Sequence, residues 1–425
     1  MLSQQALIAL IIFIITYAII VSEKIHRTKI ALVGAIFVLF FKIMPQEEAI
    51  TKIDFNTIGL LIGMMIIVAI TSKTGLFQYL AVKAAKMVGG DPLKILVVFF
   101  ALTAICSALL DNVTTVLLFT SVTFAISDML QINPIPFLIA EILAANIGGT
   151  GTLIGDPPNI MIGGATGLGF NDFILNLMFP VVCISIATCW VLYLLYRKEL
   201  EISPEQKKLV MTMEESSFLV NIPLMKKCIA ILSLTIFGFV LHQALHFESA
   251  TVAMAGAALL LLVGGLDPEE VFKEIEWNTI FFFVGLFVLV GGLEVTGIIH
   301  QVAEWAMSVT QGNTIMMHVL ILWLSAIGSA FVDNIPFVAT MIPLIKSMGE
   351  IGKMDVTSLW WTLSLGACLG GNGTIIGASA NVVVSSLAAA HGRPISFIGY
   401  MKIAFPLMLL SIVISNIYIY FAYLL

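Results

Sequence analysis

The sequence predicts an all-α polytopic membrane protein built from two inverted repeats. Three observations predict it: an extreme composition, a series of apolar segments long enough to span a bilayer, and a duplicated set of motifs. Of the 425 residues, 60% are hydrophobic and 11% are charged, whereas soluble domains hold about 45–50% and about 25%. This composition argues against a soluble enzyme, a nucleic-acid-binding protein and a secreted disulfide scaffold. We expect a bilayer as its surroundings, no enzymatic activity and no nucleic-acid partner.

The apolar segments predict ten crossings and two hairpins. Regions 136–170 and 357–391 are apolar but interrupted by Gly, Asn and Pro, which predicts discontinuous helices. Regions 93–130 and 314–348 carry a polar break at the centre and charges at both ends, which predicts re-entrant hairpins. The uninterrupted segments of spanning length lie near 5–22, 30–44, 56–72, 173–196, 226–246, 249–265, 278–294 and 400–424.

The basic residues predict the orientation. Sixteen of the 20 Lys and Arg residues fall in five stretches that can share one side of the membrane, and an excess of this kind marks the cytoplasmic side. We therefore expect a plasma (inner) membrane protein with both termini outside. The charged, Pro-interrupted stretch 198–224 is predicted to be a cytoplasmic linker between a first repeat, 1–197, and a second repeat, 225–425.

An internal duplication at an offset of 222 residues relates the two halves. Segment 104–112 matches 326–334 at six of nine positions, and 141–159 matches 363–381 at nine of nineteen. Because each half makes an odd number of crossings, the second half enters from the opposite side, and the repeats are inverted. Their hairpin tips should meet near mid-membrane. This is the architecture of an alternating-access secondary transporter, and no phosphate-binding loop motif argues for an ATP-driven pump.

Both predicted hairpin tips carry an Asp-Asn pair, Asp111-Asn112 and Asp333-Asn334. A carboxylate near the bilayer centre is costly and usually marks an ion or proton path. The alternative is local capping, since Asp and Asn are favoured at helix N-termini; one side chain can do both. The tips therefore suit H⁺ or Na⁺ coupling, with a candidate Na⁺ site at these four residues.

The breaks in the discontinuous helices are rich in Gly, Thr and Asn in both halves. Glycines let the backbone line a cavity closely, unwound carbonyls can hold a cation, and the next helix N-terminus favours an oxyanion. Close packing through small residues is the alternative. The candidate substrate- or ion-binding residues are Ser107, Asp111, Asn112, Thr114, Asn146, Gly149, Thr150, Gly151, Thr152, Asp156 and Asn159 in the first half, and Ser329, Asp333, Asn334, Gly371, Asn372, Gly373, Thr374 and Asn381 in the second.

The two halves differ in their acids. Asp156 corresponds to Ala378 across the offset, and Glu141 corresponds to Leu363. Asp156 and Glu141 are therefore candidates for an asymmetric coupling site.

These motifs resemble the ion transporter superfamily, which includes INDY-type dicarboxylate and citrate carriers. The resemblance rests on the paired GG-x-G-T-x-I-G-x-x-x-N segments, on the polar doublets at the tips and on the inverted duplication. The Asp-Asn tips and the segment GTLIGDPPN look most like the branch that holds arsenite efflux permeases (ArsB), NhaD-type sodium/proton antiporters, plant silicon effluxers and the pigmentation P protein. INDY-type carriers have Ser-Asn-Thr at both tips. Here Asp111 and Asp333 replace the Ser, while Val113 and Ile335 replace the Thr, and two acids should repel a dianion.

The resemblance implies a scaffold domain that often dimerises and a transport domain that moves like an elevator. We therefore expect a homodimer and no cofactor beyond the coupling ion. Carried over by position, one ion or substrate site would use Asn112, Gly149, Gly151, Thr152 and Asn159, and its twin would use Asn334, Gly371, Gly373, Thr374 and Asn381.

Four functions follow as hypotheses. The first is efflux of a small inorganic hydroxide or oxyanion (arsenite, antimonite or silicic acid) coupled to H⁺ or Na⁺. The second is Na⁺/H⁺ antiport by the same aspartates. The third is uptake of citrate or a similar acid, which an excess of cations near the tips would favour, and the sequence shows none there. The fourth is a passive anion channel. The resemblance alone favours the first.

Overall fold

The computed structural model describes residues 3–22 and 24–425, and every regular element in these ranges is helical. By length and apolar composition, nine helices within the described ranges are able to cross a membrane. The first half contains α1 (Gln4–Ser22), α2 (Arg27–Phe40), α3 (Gln46–Thr51), α4 (Phe55–Ser72), α5 (Leu76–Met87), α6 (Pro92–Leu109), α7 (Asn112–Leu130), α8 (Ile135–Thr150), α9 (Pro157–Thr166) and α10 (Phe170–Tyr196).

The second half repeats this order helix by helix. Between the halves lie α11 (Pro204–Met211) and a 3₁₀ turn (Glu215–Phe218). Most helix boundaries from α2 to α9 recur within one or two residues of the 222-residue offset. The helices of the second half are α12 (Ile222–Leu241), α13 (Ser249–Gly264), α14 (Pro268–Phe272), α15 (Trp277–Val295), α16 (Ile298–Thr310), α17 (Thr314–Phe331), α18 (Asn334–Gly352), α19 (Thr357–Gly370), α20 (Ser379–Ala390) and α21 (Phe397–Ile419).

The predicted hairpins and breaks are present in the structure. The pairs α6–α7 and α17–α18 turn back at Asp111 and Asp333, whose carboxylates accept the backbone N–H groups of Thr114 at 2.7 Å and Ile335 at 3.1 Å. These bonds satisfy donors that a first helical turn leaves free, so the predicted capping role of both aspartates is confirmed. Each tip joins two helices with only two residues between them.

Reciprocal contacts join the two halves. Helix α2 packs against α15, and α13, the counterpart of α2, packs against α4, the counterpart of α15. At these crossings a Cβ on Gly63 would lie 2.6 Å from the carbonyl carbon of Ala253, and one on Gly285 would lie 2.7 Å from that of Ala31. Both pairs are related by the same offset. The glycines let paired backbones approach closely, and the halves build one continuous core.

The stretch predicted as a linker is folded onto the first half. Lys207 of α11 forms an ion pair with Asp91, the N-cap of α6, at 2.5 Å. Lys86 of α5 forms an ion pair with Glu215 of the 3₁₀ turn. Gln206 donates to the Leu130 carbonyl at 3.0 Å. The linker thus contacts the starts or ends of α5, α6 and α7.

Candidate functional site

The two hairpin tips meet at Asp156. This residue is the N-cap position of α9, where the first discontinuous helix resumes, and it is fully buried. Its carboxylate accepts the side-chain amide of Asn112 at 3.3 Å and that of Asn334 at 3.2 Å. One acid, present in the first half alone, therefore receives an equivalent donor from each hairpin. The predicted candidates Asn112, Asn334 and Asp156 lie in one cluster.

Asn146 connects this cluster to the break of the second half. Its Oδ1 accepts from Asn112 at 3.0 Å, and its Nδ2 donates to the side-chain oxygens of Asn372 and Asn381, each at 2.9 Å. All four asparagines are buried. Because a buried amide needs its hydrogen bonds, this row of asparagines connects the first tip to both breaks.

Two equivalent asparagines hold the unwound segments in place. The amide of Asn159 donates to the carbonyls of Thr150 at 3.0 Å and Thr152 at 2.8 Å. The amide of Asn381 donates to those of Gly371 at 2.7 Å and Thr374 at 2.8 Å. These bonds replace the helical hydrogen bonds that the break removes, so irregular backbone is satisfied inside the protein.

The glycines of the breaks lie where the backbone crosses itself. A Cβ on Gly149 would lie 2.4 Å from the Gly155 carbonyl oxygen, and one on Gly371 would lie 3.1 Å from that of Gly377. A Cβ on Gly151 would meet Met178 at 3.0 Å. A Cβ on Gly373 would lie 2.7 Å from the Cβ of Ala330. The small-residue packing alternative therefore accounts for these positions.

The predicted hydroxyl residues anchor the breaks to the hairpin arms. Ser107 and Ser329 donate to the equivalent carbonyls of Ala145 and Ala367. Thr152 donates to the Ala108 carbonyl at 2.5 Å, and Thr374 donates to that of Ala330. The other two predicted threonines make local contacts. The Thr150 hydroxyl donates to the Asn146 carbonyl of its own helix, and the backbone N–H of Thr114 donates to Asp111.

A positively charged side chain, Arg27, lies at the second tip. Arg27, in the first turn of α2, forms an ion pair with Asp333 and donates to the Ser379 hydroxyl at 2.8 Å. The sequence did not predict this contact, because Arg27 falls in a stretch assigned to the cytoplasmic side. One signal was present: Arg27 corresponds to Ser249 across the offset, so it is a charge that one half alone carries. Asp111 at the first tip has no ion-pair partner among the described residues.

A small cavity of about 30 Å³ opens beside the two tips. Asp111, Asp156 and Glu276 line it together with Arg27 and Asn334. Glu276 precedes α15 and was not among the predicted residues. Its counterpart across the offset, Asp54, lines a separate and larger cavity of about 600 Å³. The acids of the small cavity outnumber its one cation.

Two buried polar atoms of the cluster have no hydrogen-bond partner within residues 3–22 and 24–425. They are the side-chain oxygen of Asn112, an acceptor, and the side-chain nitrogen of Asn372, a donor. Both residues bond to Asn146 through their other amide atom. Such atoms are rare in folded proteins because each one costs free energy. Of these two residues, Asn112 lines the small cavity, so its oxygen can accept a hydrogen bond from a ligand there.

Comparison with known proteins identifies the family. The citrate transporter family, CitMHS, matches residues 17–366. An "Uncharacterized transporter" of Mycobacterium tuberculosis is 41% identical over 425 residues, and the alignment covers 99% of each protein. The "46 kDa membrane protein" of Mycobacterium leprae is 40% identical over 428 residues, with the same coverage.

More distant relatives extend the similarity. The human "P protein" is 34% identical over 505 aligned positions, which cover 99% of this chain and 60% of that protein. The crystal structure of the Alcanivorax borkumensis YdaH transporter has a similar fold, with a TM-score of 0.60, 11% sequence identity and 98% of each chain covered. The chain is therefore a membrane transporter that belongs to the citrate transporter (CitMHS) family of the ion transporter superfamily.

Proposed function

We propose that this transporter exports a small inorganic hydroxide, such as arsenite, antimonite or silicic acid, in exchange for H⁺ or Na⁺. The observation that carries the proposal is Asp156, buried between amide donors from both hairpin tips. A buried carboxylate in a membrane protein is expensive and is kept where an ion or proton moves. Protonation or a bound cation would neutralise it.

The neighbouring amides support a neutral hydroxide as the substrate. A hydroxyl group both donates and accepts hydrogen bonds, which complements the free acceptor of Asn112 and the donors of Arg27 and Asn334 that line the same cavity. The cavity argues against citrate, since its acids outnumber its cation. A polyanion placed among these carboxylates would be repelled.

Na⁺/H⁺ antiport is the second candidate, and the three acids that line the cavity favour it. A carboxylate that alternately binds a cation and a proton needs no further substrate. We also propose, from the family resemblance, a homodimer in the plasma membrane, outside termini and an elevator movement of the hairpin domain.

The test is dissipation of a respiration-driven proton gradient in everted membrane vesicles, followed by a pH-sensitive dye. Sodium, arsenite, silicic acid and citrate are added in turn. We expect arsenite or silicic acid to dissipate the gradient, and Asp156→Asn to abolish this response. The matched control is Glu304→Gln, an exposed side chain of α16, which should respond like the wild type.

Each other outcome decides against part of the proposal. A response to sodium alone would make the protein a Na⁺/H⁺ antiporter and would overturn the proposal that it transports a hydroxide. A response to citrate alone overturns both candidates. An unchanged response in well-folded Asp156→Asn overturns the assignment of Asp156 as the coupling residue.

A further inference from the structure

Glu141 is a fully buried carboxylate that lies outside the Asp156 cluster. It belongs to α8, about one and a half turns before Asn146, which is ~8 Å along the helix axis. Its carboxylate oxygens accept from the hydroxyls of Thr123 and Thr120. It forms no ion pair with any residue of the described ranges. An ionised carboxylate with neutral partners alone is costly to bury.

The helices packed against α8 bring no charge to this carboxylate. Lys94, Asp128 and Lys402 are exposed, and Asp128 bonds to His391 at 3.0 Å. Asp172 bonds to Gln243. None of the titratable side chains on these helices is a hydrogen-bond or ion-pair partner of Glu141. They are Lys94 and Cys106 on α6, Asp128 on α7, Asp172, Cys183, Cys189, Tyr193 and Tyr196 on α10, Cys368 on α19, His391 after α20, and Tyr400, Lys402 and Tyr418 on α21.

A row of buried polar side chains runs along α7 from the tip to this carboxylate. Its members are Asn112, Thr115, Thr120 and Thr123, and the buried Ser127 lies one turn beyond Thr123. The Thr115 hydroxyl, one turn from Asn112, has no hydrogen-bond partner among the described residues. Hydroxyl groups can pass a proton because each one both donates and accepts.

The second half lacks this row. The residues that correspond across the offset are Asn334, Phe337, Ile342, Ile345 and Gly349 on α18, and Leu363 replaces Glu141 on α19. At the four positions after Asn334, α18 carries three apolar residues and a glycine in place of the hydroxyl groups. The fold therefore does not require Glu141 or the three threonines, and their presence in one half calls for a role other than packing.

We propose that Glu141 is a second proton-binding site, which exchanges protons with the Asp156 cluster along the threonine row of α7. The carboxylate takes a proton from hydronium and becomes a neutral carboxylic acid, leaving water; on release it returns the proton to water or to an ionised carboxylate of the cluster. This deepens the proposed function and rests on it in one respect, that a proton is the coupling ion.

The first test reads protonation directly and needs no transport substrate. Infrared difference spectra across a pH jump are recorded on purified wild type, Glu141→Gln, Asp156→Asn and the double variant. Glutamine keeps the size and does not titrate; its oxygen can accept from one threonine, and its amide can donate to the hydroxyl oxygen of the other. We expect Glu141→Gln to lose one carbonyl-stretch band of a protonated carboxylic acid, and Asp156→Asn to retain that band. Retention of every band in Glu141→Gln overturns the proposal.

A second pair of variants separates a proton site from a packing role. Glu141→Leu installs the residue of the second half, and Leu363→Met is its control on α19. In vesicles we expect Glu141→Leu to lose transport driven by a proton gradient while substrate exchange without a gradient continues. Loss of exchange as well, with the control intact, would assign Glu141 to structure and overturn the proposal. If the wild type transports no tested hydroxide, the proposed substrate fails, while the infrared result still decides on Glu141.

Should Glu141→Gln fail to fold, Thr123→Val replaces it in the infrared test. This variant removes one donor to the carboxylate and changes the shape little. We expect the band to persist and its midpoint pH to move. An unmoved midpoint contradicts the inference.

Discussion

Arg27 and Asp333 form an ion pair across 306 positions of the chain. The arginine belongs to α2, in the part of the protein where the halves cross, and the aspartate belongs to the tip of the second hairpin. The guanidinium also lies 5.0 Å above the Phe282 ring. A single side chain thus connects the crossed helices to a tip of the candidate site, and it neutralises one of the two tip aspartates.

Arg27→Gln should destabilise the protein by about 1–2 kcal/mol, less than the ~3–5 kcal/mol of a fully buried pair, because the arginine side chain is 27% exposed. Thermal unfolding in detergent measures this. Lys29→Gln, an exposed change on the same helix, is the control. Asp333→Asn in the Arg27→Gln background should recover part of the loss, and strictly additive effects would contradict the pairing.

Asn112→Ala and Asn334→Ala should both weaken transport, since each removes one donor to Asp156, and Asn112→Ala should weaken it at least as much because Asn112 also donates to Asn146. Loss of one such hydrogen bond costs about 1–2 kcal/mol, or roughly a tenfold rise in the half-saturating substrate concentration. Transport in vesicles over a range of substrate concentrations measures it. Ser121→Ala, exposed on α7, is the control. If one variant had a large effect and the other had none, the function of Asp156 would not depend on donors from both tips.

Gly63→Ala and Gly285→Ala should each destabilise the protein by about 1–3 kcal/mol through overpacking, because each new methyl group would meet opposing backbone at under 3 Å. Gly264→Ala is the control, since its Cβ meets one side-chain atom at 3.6 Å. Thermal unfolding of the three variants in the same detergent tests this. Equal behaviour of Gly63→Ala and Gly264→Ala would contradict the close crossing.

The Lys207–Asp91 pair should contribute stability that depends on pH. Burial by itself would raise the pKa of Asp91, but the Lys207 ammonium and the Lys94 backbone N–H hold that pKa below its usual range. A depressed pKa gives stability that is present above the pKa of the unfolded chain, about 3.9, and that is lost as pH falls through the folded value.

Lys207→Gln should therefore lower stability at pH 7, by under about 1 kcal/mol for so exposed a pair, and have no effect in acid below the folded pKa. Unfolding at a series of pH values measures the difference between variant and wild type. Lys208→Gln, exposed on the same helix, should show no such trend. A difference that persists unchanged in acid would contradict an ionic origin.

The hairpins and breaks could be predicted because their residues are local and occur twice. The turn at Asp111 needs a capping side chain next to two apolar helices, and the break at Gly149 needs glycines within a few positions. Such requirements are visible in a window of ten residues. The offset of 222 then places the same window in the second half.

Arg27, Glu276 and the bridging role of Asn146 could not be predicted in the same way. Arg27 meets Asp333, and Asn146 meets Asn381, through a packing of the two halves that no local pattern encodes. Glu276 occupies a helix start, where an acid is ordinary. Its position beside Asp156 follows from the way α15 crosses the first half.

The unequal acids of an otherwise duplicated frame have a thermodynamic consequence. Asp156 corresponds to Ala378 across the offset, so the acid that both hairpin tips contact belongs to one half alone. Detailed balance forbids such a difference from setting the direction of net flux or the final accumulation ratio, which the gradients alone determine. The asymmetry acts on kinetics. Right-side-out and everted vesicles should reach the same ratio at the same gradient, at rates and half-saturating concentrations that differ between the two orientations.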